Sequence, residues 1–163
     1  MPMAELLLAA LLLAAAPQAA HAQQAPIAQA PAAPLAWLSG RWRGPGATMG
    51  RADEAMLEIR PVLGGAFLEF SYRAGPFEGR AFYRQAEGAN WRATWFDSRG
   101  VSFGISAAAE GHVLTSDWGS PETERGRTVY RLADDGRLHV IDEVRRPDGS
   151  YREFARHILS RAE

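Results

Sequence analysis

The chain has 163 residues with 18 basic, 19 acidic and no cysteine, which excludes disulfides, thiolate metal sites and lipid attachment at a cleavage-site cysteine. All 18 basic residues are arginine, so lysine Schiff-base and lysine-base chemistry is excluded as well. The near-zero charge balance argues against nucleic-acid or anionic-membrane partners, which require a basic excess.

In chain order, Leu6 to Ala16 is an unbroken Leu/Ala run, and Ala20-His21-Ala22 follows as a small-x-small site. This pattern predicts a secretory signal peptide over residues 1–22 and places the mature protein in the periplasm or outside the cell, with no stable membrane insertion after cleavage. The n-region departs from the usual pattern, since it carries Glu5 and no Arg or Lys. Cleavage leaves 141 residues, with 18 acidic against 18 basic, a length suited to one domain. Residues 23–34, which are Ala, Gln and Pro with a single Ile, read as a flexible linker. The domain is therefore expected over residues 35–163.

Leu35 to Ser39 is expected to form one helical turn that closes a barrel end. From Trp42 onward, short apolar alternations are separated by Gly, Pro and Asp turns. Strands are expected over Met56–Val62, Phe67–Tyr72, Phe77–Arg84, Trp91–Asp97, Val101–Ala107, His112–Trp118, Thr128–Leu132, Leu138–Val144 and Tyr151–Ser160. Turn signals such as Glu87-Gly88, Glu110-Gly111 and Asp135-Gly136 supply the positive φ of tight hairpins. About nine or ten strands in a meander predict a closed antiparallel all-β barrel, because closure removes exposed edges. A two-sheet sandwich is the competitor, and its one candidate for a long crossover is Gly119 to Arg127.

Charge indicates which faces point inward. Arg92 and Thr94 share a face, which turns Trp91, Ala93 and Trp95 to the interior. In the last strand, Arg152 and Arg156 mark the outside, so Tyr151, Glu153, Ala155, His157 and Leu159 are expected inside. Gly100-Val101-Ser102-Phe103-Gly104 matches a nucleophile elbow, followed by Asp142 and His157 in hydrolase order. An elbow needs a strand–helix junction in a parallel α/β sheet, however, and Ser102 lies in a β alternation. Gly44-Pro45-Gly46 with Gly50 lacks dinucleotide-loop spacing and reads as a turn. His112 and His139 read as surface residues, and no two histidines are spaced as a metal pair. Glu69 is either an outward residue or an interior polar group that orients a ligand.

The segment Gly40-Arg41-Trp42-Arg43-Gly44-Pro45-Gly46, after Trp37-Leu38, resembles the Gly-x-Trp-x-Gly-x-Gly opening of calycin-type barrels of the nitrobindin and fatty-acid-binding-like group. Arg60-Pro61-Val62-Leu63-Gly64-Gly65-Ala66-Phe67-Leu68, Phe77-Glu78-Gly79 and Ala93-Thr94-Trp95-Phe96-Asp97 resemble a bacterial family known as a domain of unknown function (number 1579). The resemblance spans Leu35 to Arg161. It implies a lipocalin-like ten-strand barrel with a central cavity, and nitrobindin-like members imply haem held by a late-strand His, here His157.

The expected function is therefore binding of a small, apolar or amphipathic molecule, with no catalytic residues and no required cofactor. Trp42, Tyr83, Trp91 and Trp95 would form the wall, and Glu69 or His157 the polar anchor. Two alternatives are a haem enzyme or sensor with His157 as axial ligand, and a structural barrel filled by its own aromatics. No pattern in the chain sets an oligomeric state.

Overall fold

A computed structural model describes residues 33–163; the segments expected as a signal peptide and, for the most part, as a linker lie outside them. A 3-10 turn over Ala33–Leu38 precedes ten strands. These are β1 (Gly40–Thr48), β2 (Arg51–Val62), β3 (Phe67–Ala74), β4 (Phe77–Gln85) and β5 (Asn90–Asp97), then β6 (Ser102–Glu110), β7 (Val113–Trp118), β8 (Gly126–Leu132), β9 (Leu138–Arg145) and β10 (Tyr151–Ala162). Each strand pairs antiparallel with the next, and β1 pairs with β10 to close the barrel. The stretch expected as a possible crossover, Gly119 to Arg127, instead links neighbours β7 and β8. The meander therefore stands and the sandwich does not. Strand period 2 alone explains the inward sets, such as Leu57 and Ile59 on β2 and Phe103, Ile105 and Ala107 on β6, all buried.

One end of the barrel is shut. The 3-10 turn lays Leu35 and Leu38 there, both fully buried, against Trp42, Leu114, Leu138 and Leu159. The Trp42 Nε1–H donates to the Leu38 carbonyl at 2.8 Å. The Arg161 guanidinium lies 4.2 Å from the Trp42 ring centroid and donates to the Ser39 and Trp37 carbonyls at 2.6 and 2.8 Å. First strand, last strand and 3-10 turn are thus tied at one point.

Two local expectations need correction. Gly44-Pro45-Gly46 is not a turn but the middle of β1, paired with β2 on one side and meeting β10 on the other. The glycines are there because the backbones crowd. A Cβ on Gly44 would strike the Ile158 carbonyl, and one on Gly46 would strike the Arg156 carbonyl and the His157 ring. The turn lies further on, at Met49 (φ 51°) and Gly50 (φ 76°), the positive-φ pair of a tight hairpin. The second correction concerns β10. A register shift between Glu153 and Ala155 inserts a bulge, which reverses the alternation before it. Ala155, His157 and Leu159 point inward as expected, but Glu153 is exposed and pairs with Arg156. Tyr151 lies outside under the Arg127 guanidinium, 4.0 Å from its ring. Arg152 and Phe154, on the face expected to be outside, border the interior cavity instead.

Candidate ligand-binding site

Above the closed end the barrel holds a cavity of about 640 Å³ that opens at the opposite rim, within the usual size range of small-molecule sites. The interior is therefore not filled by its own aromatics. Five rings form its upper wall: Phe77, Trp95, Phe103, Trp118 and Phe154. Phe77 stacks on Trp95 at 6.3 Å, and Phe103 packs on Trp118 at 5.5 Å. Glycines make room for the two indoles, since a Cβ on Gly79 would overlap Trp95 and one on Gly126 would overlap Trp118. The Trp95 N–H is satisfied by Asp97 at 3.2 Å. At the rim, Arg99 pairs with Asp97 and Glu124 and sits 5.7 Å from the Phe77 ring centroid, while Arg51 and Arg152 are exposed.

The base of the cavity is polar. Tyr72, Tyr83, Ser116, Thr128, Tyr130, Asp53 and Asp142 all border it. Tyr83 donates to Ser116 at 3.0 Å, and Tyr130 lies beside it. Burial pushes the Tyr83 phenol up to about 12 and holds those of Tyr72 and Tyr130 well above their ordinary value, so all three stay protonated at neutral pH. Thr128 donates to Asp142 at 2.6 Å. Burial raises the Asp142 carboxyl from 3.8 to about 6, against the opposing pull of the Thr128 hydrogen bond and of nearby His157. Among the described residues no arginine or histidine lies within ion-pair distance of Asp142. The Thr48 Oγ1, on another strand bordering the cavity, is buried without a hydrogen-bond partner.

Of the six residues expected at the site, the structure brings Tyr83 and Trp95 to the cavity wall. Trp42 is buried in the closed end. Trp91 is buried outside the cavity lining, with no partner on its Nε1. Glu69 is on the outer face. Its side chain is only 5% exposed because Arg60 and Arg80 cover it, at 2.6 and 3.2 Å. The pair of opposed arginines, one on each neighbouring strand, accounts for the burial that a lone carboxylate would not tolerate. His157 is fully buried behind the wall: its Nε2–H donates to Asp53 at 2.8 Å, and its Nδ1 is 3.3 Å from the Tyr72 hydroxyl. The β-alternation around Asp142, Ser116 and Tyr72 was visible in the sequence. What no sequence signal supplied was that these positions share one depth in the closed barrel.

Haem does not fit through His157. Both ring nitrogens are engaged by protein groups, and the ring is not part of the cavity lining, whereas an axial ligand needs a free nitrogen facing the iron. Haem added to the purified protein is expected to give no histidine-ligated Soret band. A band that disappears in His157→Ala would reverse this reading.

No family model matches this chain, and no characterised protein matches it in sequence. The chain is similar in structure to a crystal structure of Rv2717c from M. tuberculosis, at a TM-score of 0.60 and 17% identity, over 79% of this chain and 95% of that one. At that identity the likeness extends to the closed barrel fold alone.

Proposed function

We propose that this protein is an exported barrel that binds a small, largely apolar molecule in its central cavity. The observation that carries the reading is the cavity of about 640 Å³ with an aromatic upper wall and a polar base. Barrel walls that pack their own side chains to native density leave few voids larger than a water molecule, so a space of this size is a built feature. The small-x-small site after the Leu/Ala run supports export.

N-phenyl-1-naphthylamine, a neutral dye that brightens in apolar surroundings, tests it. The wild-type protein is expected to bind the dye saturably at one site. Ala155→Phe, which places a ring in the cavity from a position 3% exposed, is expected to weaken binding about tenfold with the β circular-dichroism spectrum retained. Phe96→Ala, on the outer face and 50% exposed, should bind as wild type. A dye that stays dark with wild type, or binds Ala155→Phe unchanged, would remove the proposal.

A further inference from the structure

Several groups at the cavity base are hydrogen-bonded to one another. Thr128 donates to Asp142 and Tyr83 to Ser116. His157 joins Asp53 and Tyr72 through its two ring nitrogens, at 2.8 and 3.3 Å. Two carboxylates, Asp142 and Asp53, border the cavity with an oxygen each that these hydrogen bonds leave over. The partner best matched to such a set has several donors and no acceptor, and that is an ammonium group. Asp142 is the group such a cation would answer, since it has a hydrogen bond from Thr128 but no basic partner among the described residues. The aromatic wall above it suits both an apolar body and a cation passing over ring faces. Arg51 and Arg152 oppose a cation only from the exposed rim, where solvent and salt screen them.

We infer that the ligand of the cavity is an organic amine, with its ammonium on Asp142 at the base and its apolar body against Trp95, Trp118 and Phe154. This inference rests on the cavity-binding reading above and names the chemistry of the ligand.

Three near-isosteric probes, followed by calorimetry on the full protein, separate the possibilities: tryptamine, 3-ethylindole and indole-3-propionate. At pH 7.5 tryptamine is expected to bind at least about tenfold more tightly than 3-ethylindole, the scale of one charge-assisted hydrogen bond. Asp142→Asn should bring the ratio of tryptamine to 3-ethylindole affinity down to about one. Tryptamine affinity should also fall as pH drops through about 6, with a flatter profile in Asp142→Asn. The groups facing Asp142 across the base are Thr128 from β8, His157 from β10, and Tyr72, Tyr83 and Tyr130 from β3, β4 and β8. A profile in Asp142→Asn as steep as in wild type would overturn the assignment of the cation to Asp142.

Equal binding of tryptamine and 3-ethylindole, or tighter binding of indole-3-propionate, would overturn the amine inference and leave the cavity reading standing. No binding by any of the three also overturns it. If N-phenyl-1-naphthylamine fails too, the cavity reading falls with it.

Discussion

Trp42→Ala is expected to lower the free energy of unfolding by about 3–5 kcal/mol, the range for removing a fully packed large aromatic. Against a typical total of about 5–15 kcal/mol this is a large fraction. Three losses coincide at this side chain. Its ring is 1% exposed in the closed end, its N–H satisfies the Leu38 carbonyl, and its face carries the Arg161 guanidinium. Because Arg161 also holds the Ser39 and Trp37 carbonyls, the two residues act on the same junction of 3-10 turn, β1 and β10. Trp42→Ala and Arg161→Ala should therefore be less than additive. Urea unfolding of both single variants and the double variant checks this, read as a drop in midpoint with the slope preserved. A loss below about 1 kcal/mol in Trp42→Ala would show that the closed end is not held at this point.

Asp142→Asn is expected to make the protein more stable at pH 8, with the difference shrinking towards pH 4. The folded state raises this carboxyl from 3.8 to about 6, chiefly through burial, whereas the unfolded chain leaves it near its ordinary value. Between those two values the folded state binds more protons than the unfolded one, so stability falls as pH rises through the window and is flat on either side. The full displacement corresponds to about 3 kcal/mol. Part of Asp142 is open to the cavity, where water screens the charge, so about 1–2 kcal/mol is expected at pH 8. Asparagine retains an oxygen to accept from Thr128 and removes only the charge. Thermal or urea unfolding of the variant and wild type from pH 4 to pH 8 measures the difference. A variant less stable than wild type at pH 8, or a difference independent of pH, would contradict it. A charge held at a cost to folding fits a binding role better than a structural one.

Part of the closed end was legible, since the helical turn over Leu35 to Ser39 was expected to close a barrel end, whereas Trp42 was expected on the ligand wall and Gly44-Pro45-Gly46 as a turn rather than within β1. Turn chemistry at positions such as Gly88, Gly111 and Gly136, all at positive φ, placed the strand boundaries. The inward face of β5 was legible too, because Arg92 and Thr94 break its symmetry.

The site was much less so. Glu69 looked like an interior candidate because nothing in its own strand shows that Arg60 and Arg80, on the flanking strands, reach over to cover it. Glu153 was expected inside because alternation carries straight through a strand unless a bulge interrupts it, and the bulge before Ala155 has no local marker. His157 was correctly turned inward, yet whether an inward residue meets a cavity or a neighbour depends on depth along the barrel, and Asp53 and Tyr72 enclose it.

Local propensity and the period of two thus determine, from the sequence by itself, that the chain is a closed meander and, where no bulge intervenes, which residues of a strand share a face. The tertiary structure alone decided which of those residues stand at the same height. That depends on strand tilt and register summed around ten strands, and it is what places Asp142, Tyr72 and Tyr83 at the base of one cavity while Trp42 and Trp91 pack outside its lining.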